Sequence, residues 1–320
     1  MTRANAFPPC RPDRLYLTEG GIETEIMYKW GFDLPHFAMF PLLEQPQARD
    51  VIADMYRRYL AVAARRGMWA LIGGFDYRAS PDWGQRLGYS REGLRDANLQ
   101  SIDFLRDRVR EFGTDLPGAL FVGYVGPRGD AYRPGRQLEV EEARDYHAVQ
   151  LATLREAQVD LAWAVTFSSP SEAIGVVEAG REAGLPVAVS LSLDGTSHLN
   201  SGASLEAAIA QIEEATAGYP AFYSINCSHP LEFAPALTGG AWMDRIRCIR
   251  PNAAAMDKIA LCKLGRLEEG NPEELGDQMG DVARRFPAMD IWGGCCGTSH
   301  IHLDRIAGAA LRVRTGAVPA

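Results

Sequence analysis

No stretch of this 320-residue chain approaches the roughly 18 consecutive apolar residues that a transmembrane helix needs, so no spanning helix is expected. Met1 to Arg14 mixes Arg, Pro and Asn without an apolar centre, so no signal peptide is expected and the chain reads as cytoplasmic. Positive charge is short: 33 Lys and Arg against 41 Asp and Glu leave a net charge of −8, which argues against nucleic acid or an anionic membrane as partner. No glycine-rich phosphate cradle marks a nucleotide site. No Pro/Ser-rich linker or low-complexity tract divides the chain, so 1–320 is read as one domain with its core at about 14–313. Cysteine is scarce, with six residues and no secretory signal, which points to reduced thiols rather than a disulfide frame. Cys10, Cys248 and Cys262 belong to no motif and read as bystanders.

What is present is a regular alternation. The chain is 47% hydrophobic, enough for a sizeable core. Short continuous apolar runs end at Leu17, Ile72, Val125, Phe167, Leu193, Asn226, Arg250 and Trp292, as expected of strands covered on both faces. Between them lie helical patterns, among them Pro46 to Arg66, stopped by Gly67, Ser90 to Phe112, Val140 to Gln158 and Ser204 to Thr216. Eight such strands alternating with about eight helices predict a single α/β domain, a (β/α)8 TIM barrel. An open doubly wound sheet is the other candidate, but it would hardly bring the ends of strands six and eight to strand one. A barrel gathers the strand-end polar residues into one mouth: Glu19, Asp76, Thr166, Asp194, Asn226, Cys227, Asn252, Cys295 and Cys296.

The most distinctive stretch is Ile291-Trp292-Gly293-Gly294-Cys295-Cys296-Gly297-Thr298. Adjacent cysteines are poorly placed to bond each other, because a disulfide wants its two Cα atoms further apart. Both sulfurs can point at one metal ion, and flanking glycines remove Cβ atoms that would crowd it. Asn226-Cys227-Ser228-His229-Pro230, after the apolar run Phe222 to Ile225, supplies a third sulfur. Three soft thiolates favour Zn²⁺, and three protein ligands with an open fourth position form the catalytic rather than the closed structural pattern. Such an ion would keep an incoming thiol deprotonated and nucleophilic. Spacing alone leaves open that the three are simply small buried apolar residues.

The Gly293 to Thr298 element, Asn226-Cys227, Glu19-Gly20-Gly21 with Thr24-Glu25, and Pro251-Asn252 together resemble the homocysteine S-methyltransferase family, from about Leu15 to Ile306. The resemblance implies a zinc-dependent barrel in which Cys227, Cys295 and Cys296 are both the metal ligands and the catalytic residues. It implies transfer of a methyl group from a sulfonium or ammonium donor to homocysteine or a related small thiol, giving methionine or an analogue, and so a place in methionine biosynthesis. S-methylmethionine and S-adenosylmethionine are the leading donors. Substrate contacts are expected from Glu19, Gly20, Gly21, Asp76, Thr166, Asn226 and Asn252. A metal-dependent hydrolase competes as a function, weakened because three thiolates leave zinc a poor Lewis acid and no general base accompanies them. A non-catalytic zinc or redox module is the third possibility.

The metal half of the family pattern is intact and the amino-acid half is altered. The first strand usually ends in Asp-Gly, where this chain has Glu19-Gly20. The second usually offers Thr and a small polar residue before a Tyr, where this chain has Gly74-Phe75-Asp76-Tyr77. Many members carry Glu-Thr after the fourth strand, where this chain has Val165-Thr166. Either Asp76, with Glu19, is therefore expected to take over an ammonium contact, or the substrate thiol carries no ammonium there; the competing reading is that Asp76 pairs with Arg78. Asp194-Gly195 reads as a turn, His229 as a loop residue, His300 and His302 as helix-surface or capping residues, and Glu139-Glu141-Glu142 as a solvated face.

Overall fold

The computed structural model describes residues 7–132 and 135–316, apart from the side chain of Cys262. The extreme N-terminus and the bystander reading of Cys262 therefore fall outside the described residues. In order, the elements are β1 (Tyr16–Leu17), α1 (Ile22–Tyr28), α2 (Pro46–Arg66), β2 (Trp69–Gly73), α3 (Pro81–Arg86), α4 (Arg91–Arg110), β3 (Ala119–Val125), α5 (Val140–Glu156), β4 (Leu161–Phe167) and α6 (Pro170–Glu182). They continue with β5 (Val187–Leu191), α7 (Leu205–Thr216), β6 (Tyr223–Ser228), α8 (Pro230–Phe233), β7 (Ile246–Pro251), α9 (Lys258–Lys263), α10 (Pro272–Arg285), β8 (Ile291–Trp292) and α11 (His300–Thr315). The eight strands are parallel and close in sequence order, β8 returning to β1 through Tyr16 against Ile291 and Leu17 against Trp292. This is the (β/α)8 barrel that the alternation predicted.

Strand sequences are apolar throughout because each face packs on something. Tyr16, Leu71, Val122, Leu161, Trp163, Ala188, Cys248 and Ile291 point inward and fill the barrel, while the alternate residues join the larger core beneath the helices. Cys248 is one of these fillers, and burial pushes its thiol well above the ordinary range, in keeping with a bystander. Helix limits follow local chemistry. Ser90 and Ser204 accept from Gly93 N (3.0 Å) and Ala207 N (3.2 Å), and Gly67 ends α2 at φ 62°. Ser299 starts α11, and His302 Nδ1 accepts from the Ser299 amide at 3.1 Å, the expected capping role. His229 likewise caps α8, its Nδ1 accepting from Leu231 N at 3.2 Å. Three short helices carried no expectation: α1, α3 and α9. No described helix is long and apolar enough to cross a membrane.

Candidate metal centre and substrate mouth

Residue 227 sits near the end of β6, with its backbone in the left-handed region at φ 53°. Residues 295 and 296 follow β8 in a loop fastened to both neighbouring strands: Cys295 N donates to Pro251 O (2.8 Å), and Gly294 N to Glu19 O (3.2 Å). The glycines are needed here, although not for room around a metal. A Cβ at Gly293 would lie 1.9 Å from Thr18 Oγ1, and one at Gly294 would lie 2.1 Å from Thr298 Oγ1. Gly20 and Gly21 serve the same packing. Gly21 N donates to Thr298 O at 2.9 Å, and a Cβ there would lie 2.4 Å from Cys295 O.

The three sulfurs lie within 4.8 Å of one another. The Cys227 and Cys295 sulfurs are in contact, with Cα atoms 5.5 Å apart, and Cys296 Sγ is 4.0 Å from Cys227 Sγ. Sulfurs aimed at one point from two strand ends come close to each other, as three ligands of one ion must. Asn226 Nδ2 points at the same place, 3.5 Å from Cys227 Sγ and 3.9 Å from Cys295 Sγ. Its amide is locked: Oδ1 accepts from Thr166 N (2.9 Å) and Ser190 Oγ (2.7 Å), and Nδ2 donates to Thr166 Oγ1 (2.8 Å). A fixed N–H donor beside two of the sulfurs can disperse negative charge held there. The donor set, its mutual reach and this N–H group fit a thiophilic cation held by the reduced cysteines.

Above the sulfurs opens a cavity of about 240 Å³. Thr166, Asn226 and Asn252 line it as expected, and Asn252 Oδ1 is buried with no partner. Glu19, Gly20, Gly21 and Asp76 do not line it, which corrects their expected placement. Glu19 lies beneath the floor, 1% exposed. It accepts from Arg250 Nη2 (2.6 Å), from Gly73 N (3.0 Å) and from the Tyr124 hydroxyl. Arg250 also donates to Gly294 O (3.1 Å), so this ion pair ties the barrel centre to the cysteine loop. The extra methylene of Glu19 serves that reach across the barrel.

Asp76 is fully buried and pairs with no arginine among the described residues; Arg78 instead donates to Pro127 O (3.2 Å) and Gly129 O (2.9 Å). Gly74 admits the carboxylate, since a Cβ there would lie 2.6 Å from Asp76 Oδ2 and 2.5 Å from Ser101 Oγ. Neither Asp76 oxygen has a partner in good hydrogen-bond geometry. Burial pushes its carboxyl up to about 7, opposed by the Ser101 hydroxyl and the Tyr124 backbone. The folded-state value lies above the ordinary 3.8, so the associated stability is fully present below 3.8 and is lost as pH rises through about 7. Asp76→Asn, which mimics the neutral acid, is expected to raise the urea midpoint far more at pH 8 than at pH 5. Equal shifts at both pH values would overturn this account.

Several mouth residues were not anticipated. Glu23 and Thr24 enter from α1, Arg78 from the turn after β2, and Lys258 from α9. Burial raises the Glu23 carboxyl and lowers the Lys258 ammonium from their ordinary values. The side chains of Tyr28, Phe37 and Tyr77 add an aromatic wall, with the last two rings 6.5 Å apart. The clue to Glu23 was its position four residues past Glu19, where a helix starting directly after the glycine pair turns it inward.

A closed parallel barrel with three cysteines converging at the C-terminal ends of β6 and β8, under a cavity of small-molecule size, has the layout of a barrel enzyme with a candidate thiolate metal centre. The sequence model for homocysteine S-methyltransferase matches residues 16–310, and the chain belongs to that family. It is a thiol S-methyltransferase acting on small molecules. Two solved structures of the homocysteine methyltransferase MmuM from Escherichia coli share the fold. The oxidized form has 20% identity, a TM-score of 0.74, and coverage of 96% of this chain and 99% of that one. The metallated form has 20% identity, a TM-score of 0.70, and coverage of 92% and 96%. No curated protein matches.

Proposed function

We propose that this chain, acting as one catalytic domain over 1–320, transfers a methyl group from a sulfonium donor to homocysteine, with zinc held by reduced Cys227, Cys295 and Cys296. The observation that carries this reading is the convergence of three sulfurs within 4.8 Å at the base of the mouth. Bound there, zinc would accept the substrate sulfur at its remaining position and hold it as a thiolate at neutral pH. The chain's own residues do the rest. Asn226, fixed by Ser190 and Thr166, donates toward the cysteine sulfurs and disperses their charge. Tyr28, Phe37 and Tyr77 give the mouth an aromatic wall suited to a cationic donor, an attraction that strengthens in a desolvated site. The new S–CH₃ bond forms as the donor's S–CH₃ bond breaks; the donor leaves as a neutral thioether, and the thiol's proton goes to solvent.

S-methylmethionine and S-adenosylmethionine are the proposed donors, within cytoplasmic methionine biosynthesis. The test is a screen of reduced, zinc-loaded protein with homocysteine and donors carrying a deuterated methyl, read by mass spectrometry. Labelled methionine from a sulfonium donor is the expected product. Zinc-loaded protein that labels no thiol from any donor would overturn the reading.

A further inference from the structure

Most charged side chains of the mouth are already neutralised. Arg250 pairs with Glu19 at 2.6 Å, Arg266 with Glu268 at 3.1 Å and Lys258 with Glu232 at 3.6 Å. Asp130 also has interactions of its own. Glu23 and Arg78 differ: they line the same cavity with opposite charges, and neither forms an ion pair with any described residue. They do not touch; burial raises the Glu23 carboxyl, and the Arg250 and then the Arg78 guanidinium oppose that rise. Arg78 is 7% exposed and rigidly placed. Its Nη1 is held by Pro127 O and Gly129 O, and its guanidinium lies 4.3 Å from the Trp83 ring centroid and 4.7 Å from that of Tyr77. Nη2 donates to no described acceptor, so one edge of the guanidinium is uncommitted. Asn252 Oδ1 is a further buried acceptor in the cavity without a donor.

Two opposite, unpaired charges lining one cavity are costly when left in a low-dielectric mouth. A ligand with a cation and an anion on neighbouring atoms relieves both at once, and an α-amino acid head group is such a ligand. We propose that Glu23 accepts from the ammonium and Arg78 donates to the carboxylate of the amino-acid substrate, together setting specificity for a zwitterion. The proposal rests on the methyltransferase reading of this mouth. It also accounts for the altered strand ends: Glu19 is engaged by Arg250, Val165 cannot bear charge, and Asp76 lies outside the cavity.

The test uses the full chain, reduced and zinc-loaded, and reads binding by calorimetry. Its probes are L-methionine, 4-(methylsulfanyl)butanoate, which lacks the ammonium, and 3-(methylsulfanyl)propylamine, which lacks the carboxylate. Glu23→Gln is expected to weaken methionine roughly tenfold to a hundredfold while sparing the butanoate. Arg78→Met should weaken methionine by a similar factor while sparing the propylamine, and Arg78→Lys should restore part of the loss. Wild-type protein that binds the three probes alike, or variants that weaken all three equally, would overturn the proposal. So would a Glu23→Gln effect confined to the KM of the methyl donor. Should Arg78→Met fail to fold, the Glu23→Gln comparison decides alone. Methionine binding with this pattern but no methyl transfer would sink the proposed reaction and leave the clamp standing.

Discussion

Protein carrying Cys295→Ala and Cys296→Ala is expected to retain less than about a tenth of the wild-type zinc after reduction and dialysis, and to lose methyl transfer almost entirely. Two of the three sulfurs that lie within 4.8 Å of one another would be gone, and one thiolate cannot hold the ion against solvent. The loss should be local. The cysteine loop is fixed by backbone bonds, among them Cys295 N to Pro251 O at 2.8 Å and Gly21 N to Thr298 O at 2.9 Å, which the substitutions keep. Elemental analysis on the same sample as a melting curve separates metal loss from unfolding. Cys248→Ala is the control, since it removes a sulfur from the barrel interior without touching the site. Full zinc in the double variant would remove these cysteines from the metal site.

The second large effect concerns the ion pair beneath the floor. Arg250→Met strands the Glu19 carboxylate, fully buried, without its cation and is expected to cost about 3–5 kcal/mol of stability. The loss reaches the active site, since Arg250 also holds Gly294 O at 3.1 Å and bonds the Tyr124 hydroxyl at 2.5 Å. Combining Arg250→Met with Glu19→Gln removes the uncompensated charge and should recover a good part of the stability, the non-additivity expected of contacting residues. Urea unfolding of the two single variants and the double measures it. Strict additivity would mean that the pair is not coupled.

The eight strands were legible because each is covered on both faces and so reads as an apolar run. The cysteine site was legible because strand ends converge in a barrel, whatever the separation in sequence. What could not be read were partnerships made by the closed barrel. Glu19 and Arg250 are 231 residues apart, and nothing in either stretch announces the other. Asp76 was misplaced because the short turn Asp76–Arg78 sends its side chain toward Ser101 and α4, away from the mouth, through the room that Gly74 leaves. Glu23 and Lys258 were missed because α1 and α9 are too short to show helical periodicity, and Arg78 because it sits in the short turn Asp76–Arg78.

β1 and β8 have two residues each, and β8 meets both β1 and β7 through only two residue pairs, against four between β2 and β3 or between β3 and β4. The sheet therefore has a seam, and the cysteine loop is sewn along it. A ligand that joins Cys227 on one side of the seam to Cys295 and Cys296 on the other acts as a stitch, so occupancy of the centre and closure of the barrel favour one another. An ion held by these cysteines would in that sense also fasten the barrel's weakest seam.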